Sequence, residues 1–314
     1  MDRTSEQKSA LVFREKIIDE IFYALGLPRR GPLRRWLGPV FRLPAGRFGR
    51  IAAAADVESG RTGITGGARR ILPHLSLNPL ARGTGNIPSD GPLLVASNHP
   101  GAYDSVAILS CIPRKDMKVF ISDVAFSRAF SSAGRYFIYT PKNKPGRMSA
   151  LKASIDHLQS GGSLLIFAHG DVEPDPEFNP GAGEAIGDWS RSLEIMLRRV
   201  PEARLLVTIA SGVLMPKFRK NPIVNIRKTA ARRQKLAEVL QISQQMVFPR
   251  LRTDVHVSFA RPVKGKDLAG AALMADVSRI ARGLLEDHLA ALGSRAGWER
   301  PLSGESPKRS QSSA

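Results

Sequence analysis

A chain of 314 residues with 42% hydrophobic residues is long enough to fill one large α/β core or two ordinary ones, which excludes a disordered or fibrous protein. With 47 Lys and Arg against 28 Asp and Glu, the formal charge is +19, and the partners to expect are polyanionic: nucleic acid, an anionic membrane surface or phosphorylated substrates. The single cysteine, Cys111, excludes an intramolecular disulfide and a cysteine-based zinc cluster, as expected in a reducing compartment.

The amino terminus lacks an apolar stretch of signal-peptide length. The longest uncharged apolar run, 205–216, falls short of the roughly 20 residues that span a bilayer. A cytoplasmic location, peripheral on the inner face of the cell membrane, is the expectation. Residues 1–59 read as a basic amphipathic, membrane-associating segment: a short helix over KIIDEIFYALGLP, then Trp36, Leu37, Val40, Phe41, Phe48 and Ile51 interleaved with arginines. Residues 21–55 hold seven arginines and no acid, the composition of an interfacial helix on anionic headgroups, although packing of the same apolar residues on the parent domain is an open alternative. Pro32, Pro39 and Pro44 are expected to interrupt any long helix there.

The Gly-rich stretch 58–70 reads as a flexible connection or a loop leading into a helix. A domain over 60–293 then alternates its elements. Short apolar runs at 93–97, 117–122, 136–140, 163–167, 204–210 and 255–260 have the length of buried strands, with a further strand and turn expected within 78–92. Helices are expected at 104–112, around 124–134, over 147–162, along the face of Ile186, Trp189, Leu193, Met196 and Val200, and at 267–292. The pattern predicts an α/β fold with a mixed, largely parallel central sheet flanked by helices, followed by a disordered tail at 294–314.

The stretch SNHPGAYDS, 97–105, holds the most specific chemistry. His99 and Asp104 are five residues apart and could not meet on one helical face; Pro100 and Gly101 supply a turn after the strand 93–97. There the carboxylate would fix the tautomer of an imidazole that removes a proton from a hydroxyl. A His-x4-Asp spacing arises by chance easily in a chain with six histidines, and a turn histidine beside a helix-capping aspartate is the alternative.

With its flank GTGNIPSDGP, this stretch resembles the first block of the 1-acyl-sn-glycerol-3-phosphate acyltransferase family, N-H-x4-D after a strand. GRYFIYT (134–140), FAHGD (167–171) and LLVTIASGV (205–213) echo the later blocks in order, so the resemblance covers about residues 79–260. It implies a glycerolipid-acyltransferase-like fold and transfer of a fatty acyl group from an acyl thioester, acyl-CoA or acyl carrier protein, to a hydroxyl of a lipid or glycerol phosphate-like acceptor. His99 would be the general base and Asp104 its orienter, with backbone N–H groups near the turn holding the oxyanion, and no bound cofactor or metal required. Asn98, Lys142, His169, Gly170 and Glu173 are the candidate substrate-binding residues.

Two departures stand out. Thr140 occupies the position of the second block's arginine, with Lys142 two residues on, and His169 that of the third block's glutamate, whose part Glu173 would take over. A lysine replaces a bidentate arginine only as a point charge. Asp175 and Glu177 read equally as a solvated acidic loop. The stretch 217–235, with eight Lys and Arg and no acid, suits a solvated face, a membrane patch or a site for the phosphates of coenzyme A or an acidic carrier. Few aromatics accompany it, which argues against nucleic acid.

Two further readings stay open. One is a nonenzymatic basic protein binding membrane or nucleic acid through a degenerate motif. The other is a metal-dependent phosphoesterase, for which the one D-x-H, Asp254-Val255-His256, lies late in the chain. His74, His157 and His288 read as structural.

Overall fold

The computed structural model describes residues 3–300 apart from 142, 180, 269, 295 and 296. In chain order the elements are α1 (Arg3–Leu25), α2 (Pro32–Leu37), α3 (Arg42–Ile71), β1 (Leu77–Arg82), β2 (Leu93–Ser97), α4 (Asp104–Cys111), β3 (Met117–Ser122), β4 (Phe137–Thr140) and α5 (Lys144–Gln159). Then follow β5 (Ser163–Phe167), α6 (Ala182–Ala185), α7 (Ser192–Arg199), β6 (Arg204–Ser211), α8 (Pro216–Arg219), α9 (Ala230–Val247), β7 (Thr253–Phe259), β8 (Val263–Lys264) and α10 (Leu273–Leu292).

The strands form one mixed sheet in the order β1-β7-β6-β2-β5-β3-β4, with β8 also on β6. The strands from β6 to β4 run parallel to one another, while β7 joins β6 antiparallel and carries β1 parallel to itself. Because side chains alternate along a strand, β2 divides its apolar run between two cores. Leu93 and Val95 meet Leu72, Ile108, Ile112 and Val257 on the side of α3 and α4. Leu94 and Ala96 meet Leu158, Leu193, Val277 and Ala281 on the side of α5, α7 and α10. The expected α/β architecture, a largely parallel mixed sheet between helices, is the architecture found.

The amino-terminal region departs from expectation. Residues 58–70 are helical rather than a flexible connection, so the boundary expected at residue 59 falls inside α3. The prolines do not prevent a 30-residue helix, because Pro44 sits in its first turn, where no intrahelical N–H is lost, and Pro32 and Pro39 sit at the starts of α2 and the 3-10 turn Gly38–Phe41. The glycines reflect close packing. Gly63 kinks the helix at φ +84°, and a Cβ there would lie 2.6 Å from the carbonyl oxygen of Lys115. Phe13, Ile18 and Phe22 of α1 are buried, and Asp56 of α3 accepts hydrogen bonds from Ser131, Ser132 and Ala133.

Three smaller expectations also change. The helix expected near 124–134 is two 3-10 turns, Ser127–Ala129 and Ala133–Tyr136, and the face from Ile186 to Val200 is split between a 3-10 turn and α7. The tail expected from 294 begins with order: Glu299 exchanges both backbone hydrogen bonds with Ala81 on the edge strand. Residues 301–314 lie outside the described residues.

Candidate active site

β2 and β5 end in register while β6 runs on to Ser211, and β2 supplies the central residue. Ser97 is the last residue in register, opposite Phe167 on one side and Thr208 on the other. Asn98 then prolongs the ladder with its side chain: its Nδ2 donates to the Ala210 carbonyl at 2.9 Å, and its Oδ1 accepts the Ala210 N–H at 2.8 Å. With both ends of the amide occupied, the next residues leave the sheet as a turn that ends at α4.

Inside the turn, His99 Nδ1 lies 2.7 Å from Asp104 Oδ2. The same oxygen accepts the Gly101 N–H at 3.1 Å, and Oδ1 accepts the Ser105 N–H. Asp104 is fully buried, whereas a quarter of the His99 side chain is exposed. In the neutral ring the carboxylate accepts a hydrogen bond from Nδ1–H, which leaves Nε2 as the unprotonated nitrogen. The alternative reading of Asp104 as a helix cap fails, because Tyr103 is the N-cap of α4 and makes no side-chain cap, and the Asp104 carboxylate, on the first residue of the helix, is turned instead to the imidazole and to the Gly101 and Ser105 N–H groups.

Phe167 packs on the ring, and Glu173 and helix α9 hold the turn around it. The two rings stack with centroids 4.1 Å apart and an interplanar angle of 23°. Glu173 grips the backbone twice: His99 N–H donates to Oε2 and Glu173 N–H donates to the His99 carbonyl, both at 2.8 Å, while Trp189 Nε1–H donates to Oε1 at 3.1 Å. From α9, Gln234 Nε2 donates to the Pro100 carbonyl at 3.0 Å, and Glu238 closes over Gly101, where a Cβ would stand 3.1 Å from Oε1.

The electrostatics are those of a buried acidic nest around one imidazole. Burial works against a charged His99, but the Asp104 carboxylate, with Glu238 and Glu173 behind it, holds its pKa above the ordinary range. Burial pushes Glu173 up to about 6 despite Trp189 and the His99 N–H, and Glu238 up to about 7. Asp175 is likewise pushed up to about 6, against the pull of the N–H groups of Gly212, Glu177 and Val213.

Of the expected substrate-binding residues, two have other work. Asn98 is buried and committed to Ala210, and Glu173, 2% exposed, is committed to His99 and Trp189, so both position the turn rather than face a ligand. His169 is half-buried with Nδ1 unpartnered, and Gly170 is exposed at φ +87°. Lys142 lies outside the described residues. Thr140 turns its hydroxyl to the Ile121 carbonyl. Asp175 is buried rather than solvated. The N–H groups of His99, Gly101, Asp104 and Ser105 are all donated within the protein, so none of these four is left for an oxyanion.

The remaining histidines are held by structural contacts. His157 Nε2 lies 3.1 and 3.0 Å from the carbonyls of Asp116 and Ser163, His74 lies 3.3 Å from Arg70, and buried His288 bridges the hydroxyls of Ser211 and Ser258. His256 packs on Trp298, with Glu177 3.5 Å from Nδ1, and Asp254 accepts from Asn78. Among the described residues, no three His, Cys, Asp or Glu side chains gather to hold a metal. No helix among them is long and apolar enough to cross a membrane.

Sequence reasoning missed the part of α9. Gln234 and Glu238 fall on one helical face four residues apart, but the surrounding basic run masks that spacing. Neither a family model nor a curated protein matches the chain. Among solved structures, it is similar to the 1-acyl-sn-glycerophosphate (LPA) acyltransferase PlsC from Thermotoga maritima, at 16% identity and a TM-score of 0.46, over 94% of this chain and 99% of that one.

Proposed function

We propose that the chain is an acyltransferase that moves a fatty acyl group from an acyl thioester to the hydroxyl of a lipid or glycerol phosphate-like acceptor. The observation that carries this reading is the 2.7 Å contact between His99 Nδ1 and a fully buried Asp104, which leaves Nε2 free at the ends of the parallel strands. Nε2 accepts the acceptor's hydroxyl proton as its oxygen attacks the thioester carbonyl. The tetrahedral intermediate then expels the thiolate, which takes the proton back from the imidazolium. Asp104 stays ionised and stabilises the imidazolium meanwhile.

In this reading acyl-CoA or an acyl carrier protein is a co-substrate, and no bound cofactor takes part. The chain works peripherally on an anionic membrane: Trp36, Val40 and Leu43 are 81%, 69% and 54% exposed, beside exposed Arg29, Arg30, Arg35 and Arg42. The test is thiol release from acyl-CoA or acyl carrier protein with a panel of hydroxyl acceptors. His99→Ala is expected to lower the rate by about 10²–10⁴-fold, the usual worth of a general base. An unchanged rate in that variant overturns the mechanism, and absence of turnover with every donor and acceptor favours a binding protein.

A further inference from the structure

The basic stretch 217–235 has no part in the proton transfer, yet it folds against the turn that carries the base. α8, the 3-10 turn Pro222–Ile226 and the first turns of α9 face the loop 174–179 across a cleft of about 250 Å³. Pro100, the residue after His99, forms part of its wall, and so does Gln234, which holds the Pro100 carbonyl. The cleft therefore adjoins the turn that carries the base.

Its chemistry is that of an anion site. Arg219 and Arg233 line it from two elements, and among the described residues neither lies within ion-pair distance of a carboxylate. Arg219 Nη1 donates to the Phe178 carbonyl at 3.1 Å with its guanidinium over the Phe178 ring, and Arg233 Nη1 donates to the Lys228 carbonyl at 3.3 Å. Each guanidinium is thus oriented by one bond while keeping further N–H donors. Asp175 is also on the wall, but its two oxygens accept the N–H groups of Gly212, Glu177 and Val213. Asn225 adds an amide, and Ala230 brings the amino-terminal end of an 18-residue helix, where the dipole favours an anion. Two forked guanidinium groups suit the oxygens of a phosphate.

Resting on the acyltransferase reading, we infer that this cleft binds a phosphate group of one of the two substrates: the phosphate at the end of a pantetheine arm on the thioester donor, or that of a phosphorylated acceptor. It supplies the bidentate clamp that Thr140, turned to the Ile121 carbonyl, does not.

The experiment is calorimetric binding to the full chain of two matched pairs, 4′-phosphopantetheine against pantetheine and glycerol 3-phosphate against glycerol. One phosphorylated member is expected to bind at least about tenfold more tightly than its partner, and the pair that shows the preference identifies the source. Arg219→Ala and Arg233→Ala are each expected to remove most of that preference, and the Lys variants to restore part of it. Circular dichroism confirms that each variant is folded. Equal affinities within both pairs, or a preference untouched by the folded Ala variants, overturn the inference. His99→Ala should keep the preference while losing turnover, so a chain that binds phosphate without transferring acyl groups would retain the cleft and sink only the catalytic reading.

Discussion

His99 and Glu173 are joined by two hydrogen bonds that run in opposite directions, His99 N–H to Oε2 and Glu173 N–H to the His99 carbonyl, each 2.8 Å. Two loops 74 positions apart are thereby locked at the residue proposed as the base. Because Trp189 takes the other carboxylate oxygen, both acceptor atoms of Glu173 are occupied. Glu173→Ala should leave the His99 N–H and the Trp189 indole N–H without partners, at a cost of about 1–3 kcal/mol for each buried orphan. Urea unfolding checks the stability. In acyl transfer, kcat should fall with little change in KM, since a positioning residue is lost rather than a substrate contact. Glu173→Gln should recover only part, because an amide offers one acceptor where two donors arrive.

The acid limb of activity should follow His99. As the proposed base it must be neutral, and the Asp104 carboxylate holds its pKa above the ordinary histidine value, so kcat/KM should rise with pH through a midpoint above about 6.5. Asp104, Glu238 and Glu173 are the carboxylates acting on it. Glu238→Gln removes one negative neighbour and should move the midpoint downward. A midpoint unmoved in that variant would remove Glu238 from the site's electrostatics.

Stability should move with pH in the opposite sense. Glu173, Asp175 and Glu238 have folded-state pKa values raised by burial to about 6, 6 and 7, so the folded chain binds more protons than the unfolded one. Their contribution is complete below the ordinary carboxylate range of about 4 and is lost as pH rises through 6 to 7. Glu238→Gln should therefore gain on the parent protein in urea midpoint at pH 8 relative to pH 5. A midpoint difference independent of pH would contradict the assignment.

Asn98→Ala should separate the ends of β2 and β6. The substitution deletes both bonds to Ala210 and leaves its N–H and carbonyl buried between strands. A loss of about 1–3 kcal/mol is expected for each orphan, with faster amide exchange at Ala210. Asn98→Asp should be no better, since a carboxylate would face the Ala210 carbonyl where Nδ2 now donates. Retention of parent stability in both variants would show that water replaces the amide.

The strands were legible because burial on two covered faces makes continuous apolar runs, and 93–97 and 163–167 have the length of buried strands. His99 and Asp104 were legible because Pro100-Gly101 encodes the turn between them locally. What failed was what depends on distant partners. Residues 58–70 looked like a loop because glycine disfavours helix, and only the approach of Lys115 explains why Gly63 is wanted. The solvated reading of Asp175 stayed open because nothing local announces the N–H groups of Gly212 and Val213. Gln234 and Glu238 reach the turn from more than 130 positions away, inside a run whose dominant signal is charge.

The amino-terminal region makes the membrane reading testable only by point changes. Phe13, Ile18 and Phe22 are buried and Asp56 holds the 131–133 turn, so removal of 1–59 should unfold the protein rather than merely release it from lipid. Trp36 and Val40, in contrast, are among its most exposed apolar side chains and make no core. Trp36→Glu with Val40→Glu should leave the unfolding free energy in urea within about 0.5 kcal/mol of the parent, as surface changes do. The same variant should float less with anionic liposomes, because two apolar groups leave the interface and two negative charges oppose the surface potential. High salt should weaken parent binding as well, through screening of Arg29, Arg30, Arg35 and Arg42. Undiminished flotation in the folded variant would exclude Trp36 and Val40 as the contact and turn attention to exposed Ile223 and Ile226, which lie among the lysines and arginines of 217–228.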